Sequence, residues 1–347
     1  MDIISAIIYI LYGIISVGIA YVAQKNNSKI IAGIAYLIVV LFWGFRCNIG
    51  FDYDGYVQIF DDIRYGQRSY VEIGYYYLNY IFSPWGNGYI GTFFLASAVT
   101  FFFLFKAFWE RKILWQGLFF SLALQFQFMA ANQVRQAIAI AIFLYILNYL
   151  ENRSYLKFVI GIICIVFAFH TSAICLLFAI PLSRIRLNKI IWTIILVATY
   201  FLYLKGYFVS LGNYLFEILP IPERYTAYLL GDRVNPEQIG FSLVQLSNVL
   251  IGLYLLWNEK YILSKSLLPV FLAGLVAYMV FIEYHLFLRM SFYFVYSNII
   301  LASLLCSRSP KKGFPLVVFC GLLFVLICLQ SSNMHGVLPY QSWFFKY

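Results

Sequence analysis

A few charged side chains set into an otherwise apolar sequence are the residues of this chain best suited to chemistry. Arg46, Asp52 and Asp54 stand within a few positions of Gly50 and Gly55, directly after an apolar run that ends at Phe45. Glycine lets a helix leaving a bilayer break and turn there. An arginine at that boundary either snorkels to the headgroups or holds an anion through its planar fork of donors. Arg135 lies between Asn132 and Gln136 where another apolar run begins, and a helix N-terminus there adds unpaired N–H groups and partial positive charge. Asn132 and Gln136, four apart, are expected on one helix face. An arginine at the centre of a membrane helix costs roughly 2.5–3.5 kcal/mol and less near the ends, so its retention implies a partner or a task. His170 interrupts a long apolar stretch beside Thr171 and Ser172, as a hydrogen-bonded core residue or as a group that exchanges a proton. Glu283, His285 and Arg289 fall between two later apolar runs, with Tyr293 one turn beyond Arg289. Glu283 and Arg289 either neutralise each other or face a substrate.

What must position these residues is set by composition. Of 347 residues, 63% are hydrophobic, 21% aromatic and only 11% charged, with mean hydropathy +0.83, more apolar matter than a soluble domain needs for a core. Apolar stretches separated by short charged loops fit an all-α polytopic integral membrane protein, whereas barrel strands would alternate with period two. The net charge of +10 is explained by loops that orient helices and not by nucleic acid. The six cysteines lie almost entirely within apolar runs, without the spacing of a zinc site, and read as small core residues. The start, apolar from Ile3 with no basic leader, reads as a first span and not a removed signal.

The expected spans are Ile3–Val22, Ile30–Phe45, Tyr89–Phe105, Ile113–Met129, Ala137–Leu150, Ile190–Leu204, Phe241–Trp257, Leu267–Ile282, Leu286–Leu305 and Phe314–Leu329. Between them, Phe158–Leu182 is expected as a re-entrant helical hairpin meeting near His170, which brings the total to about 11–12 membrane segments. The whole of 1–347 then forms a single transmembrane domain. Residues 46–88, tyrosine-rich and expected to include an amphipathic interfacial helix, and 206–240 are external loops. The tail 331–347 is too apolar for a disordered extension and is expected to fold back as a lid. With this topology one side receives fifteen basic and three acidic residues, the other nine basic and eleven acidic. The positive-inside rule makes the first side cytoplasmic and puts both termini and the Arg46 loop outside. Ten of the twelve lysines are cytoplasmic, while the outward cations are mainly arginines, including Arg46, Arg135 and Arg289. Orientation needs only charge; arginine adds bidentate recognition of phosphate. Several arginines on one face call for a lipid-linked phosphate or pyrophosphate, and Asp52 or His170 could take a proton from an attacking hydroxyl. One D-x-D spacing occurs, at Asp52 and Asp54, but no His/Asp metal cluster or Walker loop accompanies it, and neither a divalent cation nor another cofactor is expected.

The order of these landmarks resembles the Wzy and EpsG-like family of bacterial O-antigen and exopolysaccharide polymerases. The resemblance rests on Arg46, Gly50, Asp52, Tyr53 and Tyr56, then Glu72, Gly74 and Tyr75, then Asn132, Arg135 and Gln136, then Phe169, His170 and Ser172, then Arg289 and Tyr293, and finally Pro339 and Tyr340. It implies a GT-C-like fold in the bacterial cytoplasmic (inner) membrane, with an active site facing the periplasm. It further implies an inverting, metal-independent transfer of a growing glycan from undecaprenyl pyrophosphate to the non-reducing end of the next lipid-linked repeat unit. Arg46, Arg135 and Arg289 would hold the pyrophosphate, Asp52 and His170 would compete as base or acceptor-orienting group, and Tyr53, Asn132, Gln136, Glu283, Tyr293 and Tyr340 would contact or orient the glycan. The implied partners are the undecaprenyl-pyrophosphate-linked donor and acceptor, membrane lipids, a chain-length regulator and a flippase. A lipid-linked oligosaccharide flippase would also need arginines for pyrophosphate, but deep in a cavity open to both sides. An O-antigen ligase would share fold and chemistry and pass the glycan to lipid A core.

Overall fold

In a computed structural model, residues 3–67, 69–218, 240–262, 264–329 and 336–344 are described. The outward cations Arg68, Arg224, Arg233 and Lys346, most of the 206–240 loop and both ends of the 331–347 tail lie outside them. The chain is 78% helical, and the described residues include no strand, as expected of an all-α membrane protein. Five helices are long and apolar enough to cross a bilayer: Ile3–Lys25, Gly88–Glu110, Val134–Glu151, Phe287–Arg308 and Pro310–Leu329. A sixth span results if Lys189–Leu204 and Tyr207–Tyr214, bent by 72°, are one segment, and six shorter apolar helices complete the set. Every apolar run of the sequence therefore has a helical counterpart, and the protein is a multi-pass membrane protein.

The chain forms two compact units, Met1–Ile174 with Ala302–Tyr347, and Cys175–Leu301. The first unit begins with α1 (Ile3–Lys25) and α2 (Lys29–Gly44), which Ser28 caps by accepting from the Ile31 amide at 3.4 Å. Two short helices follow, α3 (Tyr53–Arg64) and α4 (Ile73–Tyr80), then α5 (Gly88–Glu110), which packs on both α2 and α8 (Val134–Glu151). Helix α3 has the amphipathic pattern: Tyr53, Tyr56, Phe60 and Ile63 are buried along one face and its charges are turned away. α9 (Tyr155–Ala168) packs on α8 and α4, and Pro310–Leu329 packs on α1.

Two expected helices are interrupted. The run Ile113–Met129 divides into α6 (Leu114–Ala123) and α7 (Phe126–Asn132) because Gln125 adopts a left-handed backbone, φ 64°. The next residue but one uses that break: the Gln127 amide oxygen accepts from Trp43 Nε1 at 2.8 Å and Tyr12 Oη at 2.7 Å, while its nitrogen donates to Ser121 at 2.8 Å. A second interruption at Gln133, φ −107° and ψ 63°, ends α7 before α8 begins. Asn132 and Gln136 therefore sit on different helices and do not share a face, against expectation. The stretch Phe158–Leu182 breaks at Phe169–His170, giving way to a 3-10 helix over Thr171–Phe178.

In the second unit, Lys189–Leu204 is capped by Asn188, whose Oδ1 accepts from the Ile190 amide at 2.9 Å. That helix packs on Leu267–Val280, which in turn packs on His285–Val295.

Candidate functional site

The loop after α2 is fixed by close backbone approach. Gly50 has φ 102°, and a Cβ there would lie 2.7 Å from the Ala131 carbonyl oxygen. The following amide, Phe51 N, donates to Asn132 Oδ1 at 2.5 Å, which gives Asn132 a structural partner inside the loop. The described part of the C-terminal tail lies along this loop. Gly50 N donates to Gly336 O at 2.7 Å, Cys47 N to Gln341 O at 3.0 Å and Trp343 N to Phe45 O at 2.9 Å, with an antiparallel bridge between Arg46 and Ser342. Tyr340 pins the tail to α2: its hydroxyl donates to Phe42 O at 3.1 Å and its ring stacks on Phe42 at 4.5 Å.

Arg46, at the centre of this arrangement, is 2% exposed. Its Nη atoms donate to Trp43 O at 2.9 Å and Ala131 O at 3.3 Å, and its guanidinium lies 4.4 Å from the centre of the Phe93 ring. No described carboxylate pairs with it, and its Nε is buried without a hydrogen-bond partner. Burial pushes the guanidinium down to about 10, with the hydroxyls of Tyr75, Tyr53, Tyr56 and Tyr9 acting in the opposite direction. It remains a cation at neutral pH. Tyr53 stacks on Phe93 at 5.0 Å, and Tyr56 packs edge-on to Tyr75 at 5.8 Å, so aromatic rings enclose the charge.

A second cluster adjoins these tyrosines through Arg135. The Arg135 guanidinium lies 6.0 Å from the centre of the Tyr75 ring, and its Nη1 donates to Glu72 Oε2 at 2.7 Å. Glu72 precedes α4, and its other oxygen accepts from both the amide and the hydroxyl of Thr171, each at 3.0 Å. His170 Nδ1 lies 3.4 Å from that same Oε1. The close approach of the three segments needs Gly74, where a Cβ would meet the Ala168 carbonyl oxygen at 2.5 Å. Burial raises the Glu72 pKa, but the contacts with His170, the Thr171 amide and Arg135 outweigh it and hold the carboxyl far below the ordinary carboxylate range. Burial likewise pushes the hydroxyls of Tyr53, Tyr56 and Tyr75 up, against the pull of Arg46 and Arg135. They stay protonated. Arg135 Nε, like that of Arg46, is buried with no hydrogen-bond partner.

Of the residues singled out by sequence, Arg46, Asp52, Tyr53, Asn132, Arg135, Gln136, His170 and Tyr340 all belong to the first unit. Asp52 is half-buried at the start of α3, close enough to Tyr56 to oppose ionisation of its hydroxyl. Gln136 is buried in the first turn of α8. Glu283, Arg289 and Tyr293 belong to the second unit; Arg289 is exposed and Tyr293 fully buried. Among the described residues no group of three His, Cys, Asp or Glu side chains converges. The residue that sequence reasoning left without a role is Glu72, which ties Arg135 to His170. Its one signal was position, two residues before Gly74 in an otherwise uncharged tyrosine-rich stretch.

The arrangement can hold an anion and move a proton. Of two guanidinium groups near Tyr75, Arg135 is paired with Glu72 and Arg46 with no described carboxylate, the Nε of each has no hydrogen-bond partner, and an imidazole stands beside Arg135 with Nδ1 toward Glu72 and Nε2 on the far side of its ring. A family model described as the EpsG family matches residues 29–342. No curated protein and no solved structure matches the chain.

Proposed function

The chain belongs to the EpsG family, polysaccharide-polymerase-like glycosyltransferases, and we propose that it polymerises lipid-linked repeat units by metal-independent, inverting glycosyl transfer of GT-C type. The site faces outward from the cytoplasmic membrane in this reading, because the positive-inside rule puts the Arg46 loop and the N-terminal end of α8 opposite the lysine-rich side. The donor is a glycan on undecaprenyl pyrophosphate and the acceptor is the next lipid-linked unit.

The observation that carries the proposal is the Glu72, Arg135 and His170 cluster beside the buried Arg46. An acceptor sugar hydroxyl attacks the anomeric carbon of the donor from the face opposite the pyrophosphate. As the new C–O bond forms, the bond to the pyrophosphate oxygen breaks and the pyrophosphate leaves with the electron pair. His170 Nε2 takes the hydroxyl proton, while Glu72 fixes the ring and stabilises the imidazolium. Asp52 orients the acceptor, with Tyr53, Asn132, Gln136 and Tyr340 shaping that end of the site. Arg135, a quarter exposed, meets the pyrophosphate directly and stabilises the charge that develops on departure. Arg46 contributes its uncompensated charge from behind the tyrosines. Pyrophosphate is a good leaving group, so positioning carries much of the rate.

The test is reconstitution of the purified protein with an undecaprenyl-pyrophosphate-linked repeat unit in EDTA, with products separated on a gel. A ladder of lengthening glycans with released undecaprenyl pyrophosphate is expected, lost in Arg135→Ala and strongly reduced in His170→Ala. Absence of a ladder with substrate that another polymerase extends would overturn the reading in favour of transport.

A further inference from the structure

At the end of the first unit away from the Glu72 cluster, α2 and α5 part around a cleft of about 230 Å³. The separation is large: Phe93, which meets Arg46, and Lys106, which lines the cleft, are thirteen residues apart on α5, roughly 20 Å at helical rise. The walls are apolar, with Tyr36, Phe105 and Trp109 among them. The Tyr36 hydroxyl is already used, donating to Ala98 O at 2.9 Å, so its ring presents carbon to the cleft. Gly33 opens one side, since a Cβ there would have no atom within 4 Å.

Two exposed lysines, Lys29 at the start of α2 and Lys106 one turn before the end of α5, complete the lining. Neither forms an ion pair with a described carboxylate. Of the acidic groups at this end of the helices, Glu151 binds Arg111 at 3.0 Å, and Glu110 accepts from Asn148 Nδ2 at 3.1 Å. The Lys106 ammonium rests 4.8 Å from the centre of the Tyr145 ring, and Glu110, one turn further along α5, acts on it through space without forming an ion pair. A cleft between membrane helices with carbon walls and two cations outside any described ion pair matches a molecule with a hydrocarbon tail and a negative head.

We propose that this cleft binds an anionic phospholipid, one acyl chain lying against Gly33, Tyr36, Phe105 and Trp109 and the phosphate headgroup held between Lys29 and Lys106. Any lipid tail fills such a groove; the lysines add selection by headgroup, each worth roughly fivefold near a negatively charged surface. The proposal rests on residues remote from the Glu72 cluster and does not depend on the reaction catalysed there.

Native mass spectrometry of the full chain in detergent, titrated with phosphatidylglycerol or with phosphatidylcholine carrying the same tails, tests it. The wild type is expected to retain phosphatidylglycerol at least tenfold better. The double variant Lys29→Gln/Lys106→Gln should bring that retention down to the phosphatidylcholine level. Gly33→Leu, which changes no charge and meets no neighbour at Cβ, should weaken both lipids by filling the cleft. Lys25→Gln/Lys112→Gln, at the same end of the helices but outside the cleft, should leave the preference intact. Equal retention of the two lipids by the wild type overturns the proposal. So does a preference that survives in Lys29→Gln/Lys106→Gln, or one that Lys25→Gln/Lys112→Gln abolishes equally.

Discussion

A carboxylate that accepts from a guanidinium and from both the amide and the hydroxyl of one threonine, as Glu72 does, has most of its lone pairs committed in fixed directions. It therefore holds Arg135 and His170 in one geometry and keeps its own charge. Glu72→Gln preserves size and removes that charge; turnover in the ladder assay should fall about 10–100-fold, the usual cost of losing an orienting carboxylate behind a functional group. An unchanged turnover with folded protein would remove Glu72 from the mechanism. Arg135→Lys should recover little of what Arg135→Ala loses, because an ammonium cannot bond Glu72 and a pyrophosphate oxygen through one planar fork. The lowered pKa of Glu72 also gives a stability signature. Its folded pKa lies below the ordinary value of 4.5, so its contribution is complete above that pH and is lost as pH falls through the depressed folded pKa. Melting temperatures measured from pH 7 to pH 3 should thus decline more steeply below about 4.5 in the wild type than in Glu72→Gln. Parallel slopes would show that the ion pair adds nothing to the fold.

The loop after α2 and the tail beside it behave as one element, because each supplies the other's backbone partners. Gly50 is the position where this is most confined: a side chain would strain a φ of 102° and press on the Ala131 carbonyl. Gly50→Ala should cost about 1–3 kcal/mol, read as a lowered melting temperature, and should expose the tail to limited proteolysis near Tyr340. Wild-type stability and protection in that variant would mean the loop relaxes freely. The helices themselves were legible in the sequence because hydrophobic length alone dictates them in a bilayer. The breaks at Gln125 and Gln133 were not, since neither is a glycine or proline; the first accompanies Gln127 hydrogen bonds to α1 and α2, and only the tertiary structure reveals those partners. The same holds for the site. Arg135 and His170 stood out as charges in apolar surroundings, whereas the pairing of Glu72 with residues 63 and 99 positions away is invisible to local pattern.

Across the whole molecule, the orientation of the chain decides which chemistry is open to it. The Glu72 cluster joins the 46–88 region to the start of α8 and the end of α9, so all of its parts lie on one side of the bundle. In the proposed reading charge asymmetry puts that side outside, while the turn between α8 and α9, with Arg153, and the start of α9, with Lys157, face the cytoplasm. Two exposed positions report the two sides: Tyr70, 82% exposed, beside the cluster, and Leu156, 75% exposed, beside Lys157. Five of the six native cysteines are buried, so replacing Cys164 by serine leaves a quiet background for labelling. In intact cells a membrane-impermeant maleimide should modify Tyr70→Cys, and should reach Leu156→Cys only after permeabilisation. The proposed polymerisation requires that order, because in that reading the donor pyrophosphate and acceptor sugar are both displayed on the outer leaflet. The reverse order would put Arg135 and His170 in contact with the cytoplasm, where lipid-linked units are assembled, and would replace polymerisation with a step that precedes export.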